Sequence, residues 1–169
     1  MYIAMFANLN NDLLRAILEI VFLIPIVILN RNYFIAHGID KAVAVPWKDD
    51  NMLQLNLNGV VRLTDVSDNG MSALVYGREY NETGNSVVIF DKNGAKQAEF
   101  SFNAKCNDIC VLKESVLILS NEKIYSVDFA GNIKSEILCG IKPLYIGAIS
   151  EGKCITVDNS KMNVVEISD

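Results

Sequence analysis

Few side chains in this sequence could carry acid–base or nucleophilic chemistry, and their spacing narrows what they could do. His37 is the only histidine, so any Ser-His-Asp or Cys-His arrangement would have to use it. It stands in Ala36-His37-Gly38-Ile39-Asp40, which reads as a polar junction rather than a catalytic setting. No paired-carboxylate motif stands out. The four cysteines, Cys106, Cys110, Cys139 and Cys154, allow two bridges in three pairings. A chain this large and apolar does not need such staples, so small buried free thiols are the expectation. Cys106 and Cys110 would share one side of a strand. A four-thiolate zinc site favours two close pairs, however, and only one is present. Asp65-Val66-Ser67-Asp68-Asn69-Gly70 matches the opening of a calcium loop, but Tyr76 occupies the place of the required bidentate glutamate. A plain turn is expected there. These spacings imply no metal, no cofactor and no catalytic residue.

One loop is singled out for binding. The insertion Gly77–Asn85 carries Arg78, Glu79, Tyr80 and Glu82, and it lengthens a hairpin connection that elsewhere is only Asn121-Glu122. Extended loops on a rigid scaffold are where binding groups concentrate. The same insertion holds Asn81-Glu82-Thr83, a glycosylation tripeptide that matters only in a secreted eukaryotic protein.

The elements that must position these residues are short strands. Beyond Asp40, β-rich runs alternate with turn residues, and a unit recurs: an apolar strand, an acidic or amide residue, a glycine turn, then a second strand. Copies centre on Gly59, Gly94 and Gly131, 35 and 37 residues apart, and a partial copy starts at Lys161, 38 residues after Lys123. Such periods signal solenoids, propellers or arrays. Three or four strand-like runs per unit favour a propeller. In the third unit these are Asn107–Leu112, Ser115–Ser120, Lys123–Phe129 and Ile133–Leu138. The second and third runs are almost continuously apolar, as for strands covered on both sides. The fourth alternates: Ala98, Phe100 and Phe102 on one side, Gln97, Glu99 and Ser101 on the other.

Val61–Phe100 resembles a blade of the WD-repeat or quinoprotein-like β-propellers. The matching residues are Ser67-Asp68-Asn69-Gly70 between the first and second strands, and Phe90-Asp91 through Gly94 between the third and fourth. The wider layout, an apolar N-terminal segment before degenerate blades, resembles uncharacterised membrane-anchored bacterial propeller proteins. No Trp-Asp dipeptide ends a strand and no Gly-His opens a unit; the single tryptophan is Trp47. No quinone cofactor carries over. The resemblance implies an all-β fold of about four short antiparallel blades, either a complete small ring or part of a larger one. Pairing of Tyr33-Phe34-Ile35 with the last unit is one way to close it.

Leu13–Leu29 is the most apolar stretch of the chain. Read as a helix of seventeen residues it would reach about 25 Å, slightly short of a hydrocarbon core of about 30 Å. Arg15 and Glu19 fall four apart near its start, and Pro25 is tolerated in membrane helices better than in exposed ones. The expectation is residues 1–32 as an apolar helical membrane anchor and residues 33–169 as the propeller-like domain, extracytoplasmic. The alternative is a cytoplasmic, soluble interaction domain on which the helix packs. The net charge of −5, with no Lys/Arg run longer than one residue, argues against nucleic acid as partner. The function expected is non-catalytic binding or scaffolding with a protein partner. An enzyme with its site in the propeller channel is the remaining alternative.

Overall fold

Alternation and turn chemistry place the strands. A computed structural model of the chain describes residues 26–29, 32–37, 41–46, 53–78, 83–139, 142–150 and 152–167. Four separate antiparallel sheets follow one another along the chain. The first holds β1 (Ile26–Leu29), β2 (Tyr33–His37), β3 (Lys41–Pro46) and β4 (Leu53–Asn56). The second holds β5 (Val60–Val66), β6 (Ser72–Gly77), β7 (Asn85–Phe90) and β8 (Lys96–Phe102). The third holds β9 (Asp108–Val111), β10 (Ser115–Ser120), β11 (Lys123–Asp128) and β12 (Ile133–Leu138). The fourth has β13 (Tyr145–Ser150), β14 (Lys153–Val157) and β15 (Met162–Glu166). Within each sheet the spatial order equals the chain order. The first strands touch from sheet to sheet, β1 with β5, β5 with β9, and β9 with β13. That is the layout of propeller blades, with the first strand of each at the inside.

Period-two alternation makes each middle strand serve two interfaces. In β6, Leu74 and Tyr76 pack, with Phe90 of β7, toward Tyr33, Ile35 and Ala44 of the first blade. Their neighbours Ala73 and Val75 pack toward the third with Ile109, Val116 and Ile118. In β10, Leu117 and Leu119 turn to the fourth blade and meet Ile146 and Cys154. Strands with no solvent side must be apolar at every position, which is why these runs are continuous. Full burial of each such side chain contributes about 1.5–3 kcal/mol.

Three expectations are corrected in the first blade. Ile26–Leu29 is a strand, with Ile26 opposite His37 and Leu29 opposite Phe34, so a helix does not run through Leu29. The β-branched run Ile26-Val27-Ile28 directly after Pro25 suits a strand, and periodicity alone does not separate an apolar strand from a helix. Residues 13–25, the rest of the expected anchor, lie outside the described residues. No described helix is long and apolar enough to cross a membrane. Tyr33-Phe34-Ile35 belongs to β2 and does not complete the fourth sheet. His37 closes β2, its backbone opposite Ala42 in β3, rather than occupying a linker.

The glycine repeat needs one correction too. Gly94 and Gly131 join third to fourth strands, β7–β8 and β11–β12, at equivalent places. Gly59 instead links β4 of one blade to β5 of the next. Its similar spacing came from a different kind of connection.

Candidate cavity at the inner strands

The inner strands β5, β9 and β13 wall a cavity of about 950 Å³. Its lining includes Asp65 and Ser67 from the second blade, Asp108, Cys110 and Lys113 from the third, and Ser150 from the fourth. An inner strand has a partner strand on one edge only, so N–H groups on its other edge need acceptors. Two aspartates supply them across the blade boundary. Asp65 Oδ2 accepts the Val111 N–H at 2.6 Å. Asp108 Oδ2 accepts the Ile146 N–H at 2.9 Å, while its Oδ1 accepts the Ile109 N–H at 3.0 Å. The second blade is thus stitched to the third, and the third to the fourth, by a carboxylate.

Burial raises both carboxyl groups above their ordinary value, and the backbone N–H bonds oppose that shift. The Asp108 charge adds to the rise at Asp65. Cys110 shares the cavity wall, and burial, with the neighbouring Asp65 charge, pushes its thiol up to about 12. At neutral pH it is a thiol, a poor nucleophile and a poor metal ligand. No described group of three or more His, Cys, Asp or Glu side chains is placed to hold a metal ion.

The cysteines are all free. Cys106 and Cys110 do not share a side, because β9 starts only at Asp108 and strand alternation does not extend back to Cys106. Cys106 packs in the core between the second and third blades. Cys110, Cys139 and Cys154 pack in the core between the third and fourth. The calcium-like stretch is the tight β5–β6 turn, closed by Ser67 N–H to Met71 O at 2.9 Å and Gly70 N–H to Ser67 O at 3.0 Å. Its Asn69 Nδ2 donates to Lys113 O at 3.0 Å, a further tie between blades.

The loop singled out in the sequence lies elsewhere. Gly77 pairs with Asn85, so the insertion is the β6–β7 connection. The β5–β6 turn at the cavity mouth sits at the opposite end of β6. Arg78 is exposed and does not line the cavity; Glu79, Tyr80 and Glu82 lie outside the described residues. The base of this loop is pinned by Arg62, whose guanidinium donates to Arg78 O and, at 3.3 Å, to Asn85 Oδ1. Sequence reasoning passed over Arg62, Asp65 as a stitch, and Asp108. The available signal was a lone acid within an otherwise inward-reading strand, at Asp65 in Thr64-Asp65-Val66 and at Asp108 in Asn107-Asp108-Ile109.

No family model matches the sequence, and no curated protein matches it. Among solved structures, the chain superposes on Hsv2 from Kluyveromyces marxianus with a TM-score of 0.60 and 17% identity, covering 85% of this chain and 47% of that one. BamB from Moraxella catarrhalis gives 0.60 and 14%, over 83% and 45%. BBS1N gives 0.57 and 8%, over 84% and 50%. At these identities the likeness is one of fold, and the fold is that of WD-repeat and quinoprotein-like β-propellers. The chain spans about half the length of the structures it matches.

Proposed function

We propose that this β-propeller chain is a non-catalytic binding or scaffolding module that engages a protein partner. The observation that carries this reading is the commitment of Asp65 and Asp108, the carboxylates on the inner strands of the cavity wall, with Asp68 exposed in the turn at its edge. Both oxygens of Asp108 and one of Asp65 are held by backbone N–H groups, and the one thiol in the wall is pushed up to about 12. An inner wall whose reactive groups serve to hold blades together offers shape and rim contacts rather than a reacting centre. The BBS1N structure, a complex with ARL6DN, is a case in which a chain of this fold binds another protein.

Membrane attachment through the apolar stretch upstream of β1 belongs to the same reading, with the propeller outside the cytoplasm. Its support is the composition of Leu13–Pro25. Carbonate washing of membranes separates attachment from the soluble alternative: retention of the intact chain with the membranes is expected, and its recovery in the soluble fraction rejects the anchor.

Photocrosslinking tests the binding role. A photoreactive residue at Lys113 or Ser150, on the cavity wall, is expected to trap one partner that the same residue at Lys134, on the outer strand β12, does not trap. Equal capture from both places, or capture from neither, rejects the proposed role of the cavity.

A further inference from the structure

The second–third and third–fourth blade contacts share one register but are filled differently. In the second blade Ile89 of β7 stands opposite Ala98 of β8. Both pack toward the third blade, in the core that holds Ile118 and Tyr125, which stand opposite each other across β10 and β11. Thirty-seven residues on from Ile89 and Ala98 come Ser126 and Ser135, again an opposed pair. Thirty-eight residues on from Ile118 and Tyr125 come Thr156 and Asn163, opposed in the same way. Alternation along the strands turns all four toward the third–fourth contact. Ser126 and Ser135 share a side with Ile124 and Ile137, and Thr156 and Asn163 share a side with Cys154 and Val165, which pack in that core. Where one interface sets two isoleucines, an alanine and a tyrosine, the next sets two serines, a threonine and an asparagine.

This polar quartet is buried: Thr156 is fully covered and Ser126 is 3% exposed. Three side-chain atoms of the described residues are buried without a hydrogen-bond partner, Ser135 Oγ, Thr156 Oγ1 and Asn163 Nδ2, and all three fall at this one contact. Each orphaned group costs free energy that the packing around it does not return. We infer that the third–fourth interface is a binding site for ordered water, held by Ser135, Thr156 and Asn163. The donor and acceptor inventory suits that ligand. Each hydroxyl donates and accepts, the amide nitrogen donates, and an interior water makes about three hydrogen bonds to groups otherwise unsatisfied. Small side chains on the register that Ile89, Ala98, Ile118 and Tyr125 fill in the preceding interface supply the room. The four side chains are uncharged, and no described cluster of His, Cys, Asp or Glu is placed to hold a metal ion, which selects water over an ion.

Oxygen-17 relaxation dispersion of the full chain in water counts long-lived bound molecules directly. Ser135→Ala combined with Thr156→Val nearly preserves shape but leaves one of the three partners, fewer than a buried water needs. The parent is expected to hold about one more long-lived water than this variant, with unchanged circular dichroism. A second variant, Ser126→Ile, Ser135→Ala, Thr156→Ile and Asn163→Tyr together, installs the residues of the second–third contact and should lose the same signal. Ser101→Ala, at an exposed position on β8, should keep it. Equal counts in the parent and in whichever of the two interface variants folds overturn the inference, and so does an equal loss in Ser101→Ala. A crystal structure of the parent decides independently: density for water touching Ser135, Thr156 and Asn163 is expected, and direct bonding among these side chains with no water between them overturns the site.

Discussion

Asp65 and Asp108 show how a single side chain decides whether two blades stay in register. Replacing Asp65 by alanine leaves the Val111 N–H on the inner edge of β9 without its acceptor. An orphaned buried donor costs about 1–3 kcal/mol, so Asp65→Ala is expected to lower the urea midpoint by that equivalent. Asp65→Asn keeps an acceptor oxygen in place and should recover most of the loss; if the two variants are equally unstable, the hydrogen bond is not the cause. Asp128 offers a test by pH. Its carboxylate caps the β11–β12 turn, accepting the N–H groups of Asn132 at 2.8 Å and Ala130 at 3.0 Å, with the Asn132 side chain also donating. Those bonds, the Asn132 backbone foremost, hold its pKa down at about 2 against an ordinary 3.8. A folded-state pKa below the unfolded one gives stability that is present above about pH 4 and is lost as pH falls toward 2. Asp65 and Asp108, raised by burial, act the other way: their share is greatest when protonated and is lost as pH rises through their folded values. Asp128→Ala should therefore be less stable than the parent at pH 6, with the gap closing on acidification. A gap that stays constant down to pH 2 rejects the cap.

At the scale of elements, the third-to-fourth-strand turns are the points where chain geometry and blade contact coincide. Gly94 and Gly131 have φ values of 84° and 90°, in the left-handed region where a side chain costs about 1–2 kcal/mol. A Cβ at Gly94 would also come within 3.1 Å of the Tyr33 ring of the preceding blade, and one at Gly131 within 3.0 Å of Phe100. Tyr33 cannot easily yield, because it is fully buried and its hydroxyl lies 2.6 Å from Ser72 Oγ. Gly94→Ala is thus expected to cost about 2 kcal/mol or more, strain and contact together. Gly152→Ala, with nothing within 4 Å of the new atom, should be nearly neutral in the same denaturation series. Similar losses at both positions would show that neither the left-handed backbone at Gly94 nor the ring contact sets the cost. The strands were largely legible beforehand. The four runs read in the third unit coincide closely with β9 to β12, and the alternation read in β8 appears as exposed Gln97, Glu99 and Ser101 beside more buried Ala98, Phe100 and Phe102. The helix assigned through Leu29 failed where an unbroken apolar run fits a covered strand as well as a helix.

Over the described residues, stability should decrease from the second and third blades to the fourth. β6, β7 and β10 are covered on both sides, whereas β15 alternates between exposed and half-buried residues. Amide exchange is expected to be slowest in β6, β7 and β10, and much faster in β15 and the outer strand β12. Uniform protection across all four blades would show that the sheets unfold as one cooperative unit.

The residue order by itself determined that this chain forms short antiparallel strands in recurring units, and which strands are covered on both sides. Those features follow from local alternation and from turns such as Asp91–Gly94, which are written in adjacent residues. It also marked the β6–β7 insertion. Tertiary structure alone decided that Gly59 is a link between blades, that Cys106 and Cys110 serve different cores, and that Asp65 and Asp108 hold neighbouring blades together at the cavity. The aspartate contacts join residues 46 and 38 positions apart across a blade boundary, and nothing in the composition of one strand specifies which N–H of the next will lie opposite its carboxylate.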